Sequence, residues 1–263
     1  MESVRATFTL RRSSGEDAEA DPAWRSLYRA GAVAALLSVA TYLTALVLDF
    51  TVPAPPTSGG SAMLQYVADH RAVYIAQQVL WLAPGVLLMV VVLALAMAVK
   101  ELSPTYALIG GVLGVASWAV TLAYPATGGG SPALVYLADQ YTAATSDAQR
   151  AALAAAAEGF IAQNTVPTAI GVLETIGILI LAAVMLKGVF RRWVAYLGVA
   201  TGAVGIVCEA LKPLLGMAYV TYGLLLFVWL VAIGWELYRL SRGAGGARLS
   251  IGLTAGGRTR ART

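Results

Sequence analysis

The residues from which most metal and redox sites are built are scarce in this sequence. It contains a single cysteine, Cys208, and a single histidine, His70. One cysteine excludes an intrachain disulfide, and so few sulfur and imidazole ligands disfavour the zinc and iron sites that need several of them. A Ser-His catalytic pair is disfavoured by the same shortage. We therefore expect no metal site and no cofactor.

Charged residues are also few. They make up 12% of the chain, about half of the share in a soluble domain. Several apolar runs reach about 18 residues, which is enough to cross a hydrocarbon core of about 30 Å. The strands of a membrane barrel would instead alternate in polarity over about 10 residues. The sequence therefore predicts an all-α polytopic membrane bundle, with the lipid bilayer as its partner.

Six of the apolar runs are predicted transmembrane helices. They form a transmembrane domain over residues 26–240, between polar tails at 1–25 and 241–263 that we expect to be disordered and cytoplasmic. Asp21 and Pro22 are typical of a helix start, with Asp as N-cap. Pro84 should kink the second span. The spans are placed at about residues 27–50, 73–99, 105–124, 166–186, 193–211 and 215–238.

The basic residues predict the orientation of these spans. With six spans, the basic residues at the helix ends fall mostly on one side of the membrane, which by the positive-inside rule is the cytoplasm. Both termini are then cytoplasmic. The net charge of +4 is explained by this topology, so no nucleic-acid partner is expected. The residues concerned are Arg25, Arg29, Lys100, Lys187, Arg191, Arg192, Arg239 and Arg242.

One stretch of the sequence occurs twice, at residues 59–69 and 129–139. Seven of the eleven aligned pairs are identical. Ser61 and Ser131 suit the N-cap position, so each copy is predicted to form a short extracytoplasmic helix on the membrane surface. The identical pairs are Gly59/Gly129, Gly60/Gly130, Ser61/Ser131, Leu64/Leu134, Tyr66/Tyr136, Ala68/Ala138 and Asp69/Asp139.

The repeat continues into the predicted spans. Gly110 and Gly114 of the third span match Gly198 and Gly202 of the fifth. This spacing predicts three hairpins in the same orientation, a parallel repeat. Glycines four residues apart also allow helices to pack closely. In the second loop, residues 146–149 read as a capping box that begins another helix.

Glu174 is the main candidate for a functional side chain. It lies about 12 Å into the fourth predicted span at 1.5 Å per residue. A charged side chain at such a depth costs about 2.5–3.5 kcal/mol. Glu174 should therefore face the bundle interior, as a proton site or as the anchor for the polar head of a ligand. The alternative is a structural hydrogen bond or ion pair between helices.

Other polar residues cluster near the predicted outer side. Glu209 and Lys212 are three residues apart, which favours a local ion pair; alternatively, Lys212 pairs with Glu174 or with an anionic ligand. Four amides and two threonines are predicted to line a polar vestibule above Glu174, or else to satisfy backbone groups where loop helices join the spans. They are Gln77, Gln78, Gln163, Asn164, Thr168 and Thr175.

The layout over residues 25–240 resembles the DUF4386 domain family of bacterial multi-span membrane proteins. The resemblance is carried by a first span beginning Arg29-Ala30-Gly31, by long outer loops before the second and fourth spans, and by a last span ending in GWELYRL at 234–240. It implies six helices in a bacterial inner membrane. It implies no activity or catalytic residues.

Three functions remain open from the sequence. The first is an inner-membrane protein that binds or passes a small amphipathic or lipid-like molecule through an outward-facing cavity lined by Glu174 and the outer amides. The second is an intramembrane enzyme in which Glu174 and Glu209 act as an acid and base pair on an isoprenoid-like substrate. The third is a sensor or accessory subunit that binds a protein partner through its tails or loops.

Overall fold

The computed structural model describes residues 20–125, 127, 130–165 and 169–243. Within these residues the regular structure is helical, which confirms the predicted all-α class. The helices are α1 (Arg25–Asp49), α2 (Gly60–Asp69), α3 (Arg71–Leu82), α4 (Pro84–Val99), α5 (Pro104–Ala123), α6 (Ala133–Ala143), α7 (Asp147–Thr165), α8 (Ala169–Met185), α9 (Arg192–Ala210), α10 (Lys212–Leu215) and α11 (Val220–Ser241), with 3-10 turns at Pro22–Trp24 and Gly216–Tyr219.

Five helical segments of the described chain are long and apolar enough to cross a membrane. They are Pro22–Asp49, Arg71–Val99, Pro104–Ala123, Arg192–Ala210 and Val220–Ser241. The remaining predicted span corresponds to α8, which is apolar but has 17 residues. The predicted membrane character is thus present, with five candidate spans and one shorter apolar helix.

The long helices pack in the order in which they occur along the chain. α1 packs on α4, α4 on α5, α5 on α8, α8 on α9, and α9 on α11. Contacts between α11 and α1 close the ring. One continuous core of buried apolar side chains fills it. α8 therefore has a long helix on each side, so much of its surface faces protein.

Small residues bring α8 close to both of its neighbours, as the sequence predicts for the glycine pairs. A methyl group on Gly177 would lie 3.0 Å from the Gly114 nitrogen of α5. A methyl group on Gly202 of α9 would lie 2.8 Å from the Leu179 Cα of α8. Backbone atoms cannot move aside as a flexible side chain can. Glycine at these positions is therefore what allows the two interfaces to form.

The predicted kink at Pro84 is a break between two helices. α3 ends at Leu82 and α4 begins at Pro84, since proline donates no backbone hydrogen bond and its ring displaces the preceding turn. The predicted helix start at Asp21 is also confirmed. The Asp21 carboxylate accepts a hydrogen bond of 3.0 Å from the backbone N–H of Ala23.

The two repeat copies form α2 and α6, which pack with α7 into a cap that has its own apolar core. Leu64 and Leu134, at equivalent repeat positions, are both fully buried there. The equivalence ends at the tyrosines, because Tyr66 is 8% exposed and Tyr136 is 66% exposed. The two copies thus share a helix but not a common set of neighbours.

Two predicted helix starts in this region need correction or refinement. Gly59, rather than Ser61, is the N-cap of α2, and Ser61 lies inside the first turn. Pro132, rather than Ser131, is the N-cap of α6, and the Ser131 hydroxyl accepts a hydrogen bond of 3.3 Å from the Ala133 N–H. Of the predicted capping box, the hydrogen bond from the Gln149 N–H to the Ser146 hydroxyl is present at 3.3 Å.

The last predicted span begins later than the sequence indicates. The apolar run starts near residue 215, but α11 begins at Val220. Gly216, with φ of +46°, turns the chain between α10 and the following 3-10 turn. This left-handed conformation costs glycine little. The turn places Tyr219 beside the end of α9, which matters for the site described next.

Candidate functional site

Glu174 lies on the same face of α8 as a row of buried apolar side chains, which we call the buried stripe. Ile178, Leu181 and Met185 follow it at the helical spacing of three to four residues, and all three belong to the buried core. Glu174 itself is half-buried. Its position on this stripe directs it toward the bundle interior, as the cost of exposing a carboxyl to lipid predicts.

Glu209 is held on the facing side of α9. It is 7% exposed, and its carboxylate accepts a hydrogen bond of 2.5 Å from the hydroxyl of Tyr219. Such charge-assisted bonds are short and strong. The Glu209 side chain lies against Gly171 of α8, where the methyl group of an alanine would overlap it. Glycine at position 171 therefore makes room for this carboxyl.

The two carboxyls belong to one cluster, toward the end of the bundle where α8 begins and α9 ends. Glu174 and Glu209 are close enough to interact electrostatically, although they lie on different helices. Glu174 also interacts in this way with Tyr42 of α1, Tyr222 of α11 and Tyr219. We call Glu174, Glu209, Tyr42, Tyr219 and Tyr222 the carboxyl–tyrosine cluster.

Glu174 differs from Glu209 in its hydrogen bonding. Among the described residues it has no hydrogen-bond or ion-pair partner, whereas Glu209 has Tyr219. A carboxyl removed from water without a partner costs free energy. The arrangement can therefore accept a hydrogen bond or a positive charge at Glu174 from an additional group.

Aromatic rings continue from the cluster along the bundle interior. The ring of Tyr42 lies 5.5 Å from that of Trp81 and 5.6 Å from that of Phe227. Trp81 donates a hydrogen bond of 3.3 Å to the Asp49 carboxylate at the end of α1. The polar cluster thus adjoins a wall of rings, a surface suited to an apolar or cationic group.

The predicted ion pair between Glu209 and Lys212 is wrong. No carboxylate of the described chain lies within ion-pair distance of Lys212, and its Nζ lies 5.5 Å above the ring of Tyr219. The reason is that α9 ends at Ala210 and Lys212 begins α10. The helical register that would bring residues three apart together is lost between them. Lys212 does not pair with Glu174 either.

The structure describes the side chains of some of the residues that were predicted to line a polar vestibule. Gln78 accepts a hydrogen bond of 3.0 Å from Thr127, and Gln163 accepts one of 2.9 Å from Tyr124. Gln77 lies beside the Asp49 carboxylate. All three contacts are made to side chains rather than to backbone groups, so both interpretations of these amides stay predictions. The side chain of Asn164 and all of Thr168 lie outside the described residues.

Thr175 does not add a free hydroxyl to the cluster. Its hydroxyl donates to the backbone carbonyls of Gly171 and Val172, at 3.1 and 2.9 Å. Its methyl group packs against α9, where a side chain at Gly205 would overlap it. Thr175 therefore contributes to the α8–α9 interface.

A buried carboxylate at the other end of the bundle was not singled out from the sequence. Glu236 of α11 is 3% exposed and accepts hydrogen bonds of 3.0 and 3.2 Å from Arg239. Arg191, before α9, lies 3.3 Å away. The three-residue spacing of Glu236 and Arg239 is a readable signal. The Arg191 contact depends on how the chain folds and leaves no local signal.

The start of α1 is tied to the turn between α4 and α5. Lys100 Nζ lies 2.9 Å from the Asp21 carboxylate and 5.2 Å from the centre of the Trp24 ring. The hydrogen bond from Ala23 and the ammonium of Lys100 lower the pKa of Asp21, and the carboxylate in turn raises the pKa of Lys100.

In the described part of the chain, no group of three or more His, Cys, Asp and Glu side chains is arranged to hold a metal ion. Comparison of the chain with protein-family models, with curated proteins and with solved structures finds no match. Membership of the DUF4386 domain family therefore stays a prediction, and the functional conclusion depends on the geometry.

Proposed function

We propose that the protein binds or passes a small amphipathic or lipid-like molecule through an outward-facing cavity of a six-span inner-membrane bundle. The carboxyl–tyrosine cluster holds the polar head of this molecule, and the neighbouring aromatic rings contact its apolar part. The observation that carries the proposal is Glu174, a carboxyl on the buried stripe of α8 without a hydrogen-bond partner in the described chain.

The six-span topology assigns α8 as the fourth membrane crossing. At 1.5 Å per residue its 17 residues extend about 25 Å, slightly less than a hydrocarbon core of about 30 Å. Its packing between α5 and α9 supports this assignment, since a helix covered on both sides has little surface in contact with lipid. An even number of spans also places both termini in the cytoplasm with the basic helix ends.

The chemistry of the cluster favours a head group that is cationic or rich in hydrogen-bond donors. It contains two carboxyls and three phenols, all of which can accept a hydrogen bond. Lys212 lies over the ring of Tyr219 and forms no ion pair with either carboxylate of the cluster in the described part of the chain. A bound ammonium would satisfy Glu174 and lie among ring faces that attract cations. An anionic head group would be repelled.

The cap of α2, α6 and α7 is proposed to act as a lid over this cavity. Its recorded polar links to the rest of the bundle include an ion pair between Arg71 of α3 and Asp139 of α6, both about half exposed. Exposed ion pairs contribute only about 0–1 kcal/mol. Tyr74 of α3 is also buried in the apolar core of the cap and exchanges hydrogen bonds of 3.0 Å with the backbone of Ser131, so opening the lid has to break this contact as well.

The test is native mass spectrometry of the purified full chain released from mild detergent. We compare wild type, Glu174→Gln and the matched control Glu101→Gln, whose carboxyl is exposed at a turn. A discrete bound mass in wild type and in the control, lost from Glu174→Gln, is expected. Bare protein in all three samples, or a bound mass that the Glu174 variant keeps, refutes the proposal.

A second candidate function is acid and base catalysis within the membrane. It is favoured by two interacting carboxyls in unlike settings, since Glu209 accepts a hydrogen bond from Tyr219 and Glu174 has no such partner. Paired carboxyls in unlike settings are typical of acid and base pairs. A bound isoprenoid-like mass that wild type converts and both Glu174→Gln and Glu209→Gln leave unchanged would favour this function over simple binding.

The role of a sensor or accessory subunit remains the third candidate. It was expected to be carried by the loops or by the tails at 1–25 and 241–263, and of these tails residues 1–19 and 244–263 lie outside the described residues. Purification from membranes that repeatedly yields the protein alone argues against it.

A further inference from the structure

A groove on the exposed side of the bundle runs along α1 and α4, parallel to these helices. It is an open groove with a volume of about 700 Å³. Val33 and Leu37 of α1 form one wall, and Leu87 and Val90 of α4 form the other. Val33 is 52% exposed and Leu37 is 49% exposed, so the groove offers apolar surface along its length.

One end of this groove is strongly basic. Arg25 and Arg29 line it there, together with the hydroxyl residues Ser26 and Ser241. Neither arginine has a carboxylate within ion-pair distance in the described part of the chain. The acidic residues at this end of the bundle are engaged elsewhere, since Asp21 pairs with Lys100 and Glu236 pairs with Arg191 and Arg239.

The length of the groove matches one leaflet of a bilayer. Arg25 and Leu37 are twelve residues apart on α1, which corresponds to about 18 Å at 1.5 Å per residue. Half of the hydrocarbon core measures about 15 Å. A lipid with its head at the arginines would therefore place an acyl chain along the apolar walls as far as the middle of the membrane.

We infer that this groove is a binding site for an anionic phospholipid of the cytoplasmic leaflet. The two guanidinium groups match the geometry of a phosphate, to which arginine donates paired hydrogen bonds. Anionic lipids concentrate on the cytoplasmic side, where the positive-inside rule puts this end of α1. The site shares no residue with the carboxyl–tyrosine cluster, and its test does not depend on the ligand proposed there.

The experiment is a lipid titration of the purified full chain, followed by native mass spectrometry. The probes are phosphatidylglycerol and phosphatidylcholine with the same acyl chains. Each arginine in contact with the lipid phosphate is expected to contribute about fivefold in affinity, whereas basic residues outside the groove are screened from a single bound lipid. Arg25→Gln/Arg29→Gln should therefore weaken phosphatidylglycerol binding about thirtyfold. Lys187→Gln/Arg192→Gln, which removes the same charge at the same end outside the groove, should change it less than threefold.

A second pair of variants tests the apolar part of the site. Ala30→Trp places a large ring in the groove and leaves both arginines in place, whereas Leu108→Trp alters an exposed position of α5 outside it. Only Ala30→Trp should reduce phosphatidylglycerol binding. The inference is overturned if wild type binds both lipids equally, if the two charge variants lose affinity equally, or if Ala30→Trp binds phosphatidylglycerol as wild type does.

Discussion

Replacing Gly202 by alanine should loosen the α8–α9 interface that brings Glu174 and Glu209 together. The added methyl carbon would lie 2.8 Å from the Cα, Cβ and nitrogen atoms of Leu179. Carbon atoms in contact prefer about 3.5–4.0 Å, so the two helices must separate by about 1 Å. Crowding of this kind costs about 1–3 kcal/mol, which exceeds the gain of up to about 1 kcal/mol in helix propensity.

Gly223→Ala in α11 is the matched control. A methyl group at Gly223 meets no atom within 4 Å, so that variant keeps the gain in helix propensity without the clash. The assay is thermal unfolding of both variants in the same detergent, followed by size-exclusion chromatography. The middle of the crowding cost less the gain in helix propensity is a net loss of about 1 kcal/mol, which corresponds to a fall of about 2–4 °C in Tm for a chain of this size. A Gly202→Ala protein as stable as wild type would refute the packing argument.

Three further predictions use other contacts of the same structure. Tyr219→Phe removes the donor to buried Glu209 and should lower the free energy of unfolding by about 1–3 kcal/mol. Tyr222→Phe should lower it less, because the Tyr222 hydroxyl has no hydrogen-bond partner among the described residues. Equal losses would contradict the assigned role of Tyr219. Glu236→Gln leaves Arg191 and Arg239 without their shared carboxylate and should lower the free energy of unfolding by about 1–3 kcal/mol. The loss stays in this range because both arginines still reach solvent. Glu101→Gln, at an exposed position, should leave the melting temperature unchanged in the same assay. The pKa of Asp21 in the folded protein lies below its ordinary value of 3.8. The stabilisation that the Asp21 carboxylate gives to the start of α1 is therefore complete above pH 3.8 and is lost as the pH falls through the lower pKa. The Ala23 amide shift in NMR spectra should titrate in that acid range, and Asp21→Asn should abolish this titration.

Much of the architecture follows from signals that lie within short stretches of the sequence. Hydrophobic runs located the long helices to within a few residues, because burial in lipid requires apolar side chains on every face. Pro84 and Asp21 acted as expected because their effects are local to the backbone. Glu174 was expected in the interior of the bundle because placing its carboxyl against lipid costs free energy.

The parts that sequence reasoning missed depend on residues brought together by folding. The Tyr219–Glu209 hydrogen bond spans ten residues and requires the turn at Gly216. The predicted ion pair of Glu209 does not form because α9 ends at Ala210, before Lys212 begins α10. The Arg191–Glu236 contact joins the residue before α9 to α11, and these two helices meet only in the closed ring. None of these leaves a periodic pattern in the chain.

The central claim is that Glu174 faces a cavity reached from outside the cell, and thiol labelling tests it most directly. The single native cysteine, Cys208, is replaced by alanine, and a cysteine is introduced by Glu174→Cys or, as a lipid-facing control, Leu108→Cys. A small membrane-impermeant thiol reagent is added to one side of sealed vesicles at a time. The account predicts labelling at position 174 from the outer side alone and none at position 108. Absence of labelling at 174, or labelling of 174 only from the cytoplasmic side, would contradict it.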